Sequence, residues 1–135
     1  MSMKKETCYR GIILKESLLT GELPLQVRSY LEDTYPYRLD GQVPMTVFKL
    51  RVPVAQSEEV ADKIARALRP ERFFSQLTGE ADMLVVFPAA WIRVIKGRPD
   101  TAEAARTYGV EHGIPRHQMR FEEMFERDHP NEGNA

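Results

Sequence analysis

Three histidines, His112, His117 and His129, are the side chains of this 135-residue chain best suited to metal binding or proton transfer. Paired zinc ligands on a helix share one face, at a spacing of four. His112 and His117 are five apart across Gly113-Ile114-Pro115, and the one thiol, Cys8, is remote from both. No metal site is expected, and His112 reads as a helix-end residue, where positive charge is favourable. The acid pairs Glu32-Asp33, Glu58-Glu59 and Glu122-Glu123 are adjacent in sequence, so their carboxylates diverge rather than converge on a reacting atom. Nothing in them predicts the raised pKa of a general acid. Ser57 and Ser75 lack the elbow motif of a hydrolase nucleophile. The eight glycines are scattered rather than gathered in a phosphate-binding loop. No catalytic residue and no cofactor is expected, which leans the reading away from an enzyme.

Net charge sets the next exclusion. Nineteen basic and 20 acidic residues leave −1, and the 13 arginines and 6 lysines are spread along the chain. Phosphate backbones are bound by a clear basic excess, so no nucleic-acid partner is expected. The longest apolar run, Met83 to Phe87, is far short of a membrane span, so no membrane partner is expected either. A single cysteine forms no intrachain disulfide, which suits a cytoplasmic location.

The elements that must position these residues follow from periodicity. Residues 1–8 read as a flexible leader, 9–126 as a single α+β domain and 127–135 as a disordered tail. Gly11 to Leu14 form the apolar centre of a first strand. Residues 22–37 fit either helix or strand, and their β-formers, running into a turn at Asp40-Gly41, favour strand. Thr46, Phe48, Leu50, Val52 and Val54 alternate with a mixed set, which predicts a strand laid on a core. Ser57 is expected to cap a helix whose stripe is Val60, Ala61, Ile64, Ala65 and Leu68, ended by Pro70. Strands are predicted over 72–77, 83–87 and 91–95. The run Met83–Phe87 demands cover on both sides, or nearly so. Asp100 and Glu103 suggest a capping box for a second helix, which Gly113 and Pro115 end. A short turn or helix around Phe121 to Phe125 closes the fold. The order of elements predicts a ferredoxin-like sandwich, an antiparallel sheet with two main helices on one face.

That arrangement leaves the second sheet face to be covered. Met45 and Val47, with either Trp91 and Ile95 or Ile92 and Val94, form apolar area there, bordered by Lys49 and Arg51. Apolar patches with polar rims mark interfaces. A homodimer through Met45, Val47, Lys49 and Arg51 is therefore expected, although the N-terminal strands or the C-terminal segment could fold over the same face. The alternative is a small-molecule or enzyme pocket between sheet and C-terminal segment, with polar groups from Trp91, Arg93, Tyr108, His112, Arg116 and His117.

Tyr9-Arg10-Gly11-Ile12-Ile13-Leu14-Lys15, the aromatic pair Phe73-Phe74, Val85-Val86-Phe87, Arg93-Val94, Tyr108-Gly109 and Gly113-Ile114-Pro115 with Gln118 together resemble a family of small bacterial proteins with no established activity. The resemblance implies an extended segment over Gln26–Tyr37 and assigns no site residue. The function expected from the sequence is a non-catalytic cytoplasmic binding or regulatory module that self-associates through its sheet.

Overall fold

Strand β5 (Asp82–Phe87) is the element around which the rest is arranged. Its residues Met83 to Phe87 are all fully buried, so both of its faces are dry. The computed structural model describes residues 8–130. Over these the chain is α+β, with an open six-stranded antiparallel sheet in the order β2-β3-β1-β4-β5-β6 and four helices. The remaining strands are β1 (Cys8–Leu14), β2 (Leu31–Leu39), β3 (Val43–Pro53), β4 (Ser75–Thr78) and β6 (Ala90–Ile95). The helices are α1 (Leu25–Arg28), α2 (Ser57–Ala67), α3 (Pro99–Glu111) and α4 (Phe121–Met124). No helix among the described residues is long and apolar enough to cross a membrane.

Successive side chains of a strand point to opposite faces. On one face Leu84 and Val86 of β5, Leu77 of β4, Tyr9 and Ile13 of β1 and Leu50 and Val52 of β3 meet the stripe of α2. Leu18, Leu23 and Val27, from the segment that carries α1, complete this layer. Burying Val60, Ile64 and Leu68 contributes about 1.5–3 kcal/mol each before the cost of ordering them. On the other face Met83, Val85 and Phe87, with Val94 of β6, meet Ala102 and Ala105 of α3 and then Ile114, Met119, Phe121, Met124 and Phe125. The small residues of α3 let it lie close to the sheet, and Gly109 approaches Met119 and Phe87.

The expectation of two main helices on one face is thereby corrected: α2 and α3 lie on opposite faces. The physical reason is the apolar run of β5, which one helical layer leaves half wet. Three local expectations change as well. Residues 22–37 hold one helical turn, α1, before strand β2. Ser57 begins α2 rather than capping it, and its buried hydroxyl donates back to the Val54 carbonyl at 2.8 Å. No side-chain cap forms at the start of α3: Asp100 pairs with Arg98, and Glu103 accepts from Arg106 and Arg116.

Backbone geometry marks the exits. Gly113 has φ +82°, its N–H donates to Val110, and Ile114 N–H donates to Gly109, a Schellman ending for α3. The residues expected as a disordered tail begin at 127. Of these, Asp128 to Pro130 are docked on the sheet, while 131–135, like 1–7 of the expected leader, lie outside the described residues.

Gly11 sits mid-strand with Leu50 and Leu77 closing over it from β3 and β4. A Cβ there comes within 2.9 Å of Leu50 Cβ, an atom that cannot move without its strand. Gly11→Ala is expected to destabilise the fold by about 1–3 kcal/mol, as overpacking of a filled core does, read as a lower urea midpoint at unchanged m-value.

Candidate ligand cavity beneath the C-terminal segment

The residues singled out from the sequence fall in three separate places. Trp91 and Arg93 project from β6 towards α2, where Trp91 Nε1 donates to Asp62 at 2.8 Å. Arg93 donates to Asp82 at 2.9 Å and to Glu58 at 3.1 Å, with its guanidinium 5.4 Å from the Trp91 ring centre. The Tyr9 hydroxyl donates to the same Asp82 at 2.6 Å. Burial, followed by that hydrogen bond, pushes the Tyr9 phenol up to about 12. This group is a structural clamp joining β1, β5, β6 and α2. Tyr108 and His112 stack at 4.2 Å at the end of α3, with His112 Nδ1 donating to the Tyr108 carbonyl. Arg116 grips Glu103, and His117 faces Asp40 at 3.1 Å. These six side chains share no cavity.

The four residues read as an interface lie along β3, on the face that α3 partly covers. Val47 is fully buried within the chain, Met45 and Lys49 are half-buried, and exposed Arg51 lies 3.9 Å from Glu32. Near them, the end of the chain folds back over the sheet. Arg10 Nε donates to Asp128 at 3.0 Å, and Arg10 Nη2 donates to the Met124 and Phe125 carbonyls at 3.3 and 3.5 Å. The His129 ring stacks on Tyr37 at 4.4 Å and meets the edge of Tyr35, whose hydroxyl is 2.6 Å from His129 Nε2. Arg120 and Arg127 both donate to the Pro130 carbonyl.

Between this returning segment and the sheet lies a cavity of about 60 Å³. Ile12, Leu14, Tyr37, Leu39 and Gln76 form its floor. Arg72, Phe73 and Phe74 enter from the loop before β4, and Gln118, Met124, Asp128, His129 and Pro130 roof it. Gln76 decides its character. Cross-strand from Ile12 and Val85, it is only 4% exposed. Its side-chain amide has no hydrogen-bond partner among the described residues. The amide reaches this space rather than dry core, since the fully enclosed side-chain polar atom left without a partner among the described residues is Ser75 Oγ, and a placed polar group in such a space is where a ligand is oriented. Arg72, exposed and held at φ +79° with its N–H on the His112 carbonyl, lines the same cavity and forms no ion pair among the described residues.

Two other features were weighed against it. A cleft of about 270 Å³ lies between the β6–α3 turn and Phe125, and its charged residues are already paired: Lys96 with Glu126, Arg98 with Asp100 and Glu122 with Arg106. Ser75, next to Gln76 but on the α2 face, has a fully buried hydroxyl with no partner among the described residues, and it does not line this cavity. No cluster of three or more His, Cys, Asp or Glu side chains able to hold a metal occurs among the described residues. Sequence reasoning passed over Gln76, because β4 reads Ser-Gln-Leu-Thr and its burial comes from the strands and layers packed around it.

No family model matches this chain, and neither a curated protein nor a solved structure is similar to it.

Two measurements check these assignments. A phenol whose pKa is raised on folding stabilises the protein fully below its ordinary value of 10.0 and loses that contribution as pH rises through about 12. Tyr9→Phe is expected to cost about 1 kcal/mol at neutral pH and to lack that alkaline loss of stability, read by urea unfolding across the pH series. Ser75→Ala, which removes an orphaned hydroxyl from dry core, is expected to raise stability by about 1 kcal/mol, seen as a higher urea midpoint.

Proposed function

We propose that this chain is a non-catalytic binding module whose small-molecule ligand occupies the cavity between sheet and C-terminal segment. The observation that carries this reading is the Gln76 amide, which faces that space on a residue 4% exposed and has no hydrogen-bond partner among the described residues. Pockets of this kind combine an apolar lining with a few placed polar groups, and Ile12, Leu14, Leu39, Phe73, Phe74 and Met124 supply the apolar part here. Among the described residues around the cavity no nucleophile–base pair or acid pair stands together, which favours binding over turnover. His129 is engaged with Tyr35 and Tyr37, and Asp128 with Arg10, so the nearest titratable groups already serve to hold the roof.

Self-association through the sheet face takes second place, because Val47 is fully buried within the chain and the returning segment already lies over neighbouring β1 and β2. We further read β1 to β4 with α1 and α2 as a ferredoxin-like unit, on the strand order β2-β3-β1-β4, to which β5, β6 and α3 are added.

The test is a thermal-shift screen of the full chain against small neutral, anionic and cationic compounds, run in parallel on Gln76→Leu. A ligand selective for the native state raises the melting temperature by mass action. The expected outcome is at least one compound that shifts the wild-type chain and leaves Gln76→Leu unmoved, while the variant alone melts no lower than wild type because an unpaired amide has been replaced by an apolar group. No stabilising compound, or identical shifts in both proteins, would refute the cavity as the binding site.

A further inference from the structure

The geometry points to a small 2-oxo or 2-hydroxy carboxylate as the occupant of this cavity, an inference that rests on the binding reading above. Size is the first constraint. About 60 Å³ is small against the 300 Å³ or more of pockets for drug-sized ligands. A compact ligand suits it better than a nucleotide or a large cofactor. A short acid of three or four carbons fills the space if its carboxylate stays at the rim.

Charge is the second constraint. Two full charges line the cavity, Asp128 and Arg72. Asp128 is matched by Arg10 at 3.0 Å, which leaves Arg72 as the cation with no counter-charge among the described residues. A guanidinium offers a planar fork that fits a carboxylate, and the same excess of positive charge disfavours an amine. Arg72 is also pinned: its φ of +79° is held by the N–H bond to His112, and such backbone strain persists where the surroundings fix it.

Gln76 supplies the third. Its amide carries both a donor and an acceptor, so it can pair with a carbonyl or with a hydroxyl on the carbon beside the carboxylate. Between Arg72 and Gln76 the walls are Leu39, Phe74 and Met124, which suit a short carbon body and offer nothing to further hydroxyls.

Calorimetric titration of the full chain with four compounds of similar size tests this: 2-oxobutanoate, butanoate, butan-2-one and butylamine. 2-Oxobutanoate is expected to bind tightest. Butanoate, which lacks the Gln76 partner, and butan-2-one, which lacks the carboxylate, should each be weaker by roughly tenfold or more, and butylamine should not bind. Arg72→Gly removes the guanidinium at a backbone angle that glycine accepts, so the fold survives. It should weaken 2-oxobutanoate by roughly tenfold or more and leave butan-2-one unchanged. Butan-2-one or butylamine binding as tightly as the acid, or Arg72→Gly binding the acid normally, overturns the acid assignment and leaves the cavity reading intact. So does silence from all four compounds when the broader screen finds another ligand. Silence in both experiments overturns both readings.

Discussion

Met83, Leu84, Val85, Val86 and Phe87 are all buried, so β5 has no wet side. A sheet with a strand of that kind needs two layers of cover, and each layer comes from a different stretch of chain. Helix α2, with the segment around α1, shields Leu84 and Val86, while α3 and the residues after it shield Met83, Val85 and Phe87. Remove either layer and a continuous apolar strand faces water at about 25 cal/mol per Å². The clamp of Tyr9, Asp82, Arg93 and Glu58 ties the first layer to the sheet, and Arg10 ties the second by holding Asp128 and two carbonyls of the returning chain.

The two layers differ in kind. Helix α2 is a regular element with an apolar stripe packed on its face of the sheet. The second layer becomes irregular after Gly113, where the Schellman turn sends the chain back across the sheet as short turns and the four-residue α4. Irregular chain packs less completely than a helix. The cavity opens where this segment meets β1, β2 and β4, and the stacked rings of His129 and Tyr37 bridge its outer side. A binding site of this kind is a consequence of covering a wide sheet with irregular chain.

Much of the fold was legible from periodicity. The alternation over Thr46–Val52, the stripe of α2, the Gly113 stop and the Asp40-Gly41 turn each express one local rule with a counterpart in the structure, whereas Val54, expected on the same face, lies beyond β3 and is exposed. The turn has both residues at positive φ, +53° and +73°. The face on which α3 docks was not legible, since periodicity gives a helix its apolar stripe without saying which side of the sheet receives it. The requirement that β5 be covered on both sides already argued against placing both helices together. The candidate site was legible in outline only: a space between sheet and C-terminal segment. Trp91 and Arg93 are absorbed by a hydrogen bond and an ion pair to α2, which partners distant in sequence set, and Tyr108 and His112 by each other.

By itself the sequence determined the class of the chain: strand and helix periods, a dry β5, no basic excess and no thiol pair. These are properties of neighbouring residues and of sums, and they survive any arrangement in space. Tertiary structure alone decided that Gln76 lines the cavity with no hydrogen-bond partner among the described residues and that Arg72 lines it with no ion pair among them. Whether a polar group is satisfied depends on every other group that the fold brings within about 3 Å, and no linear pattern encodes that.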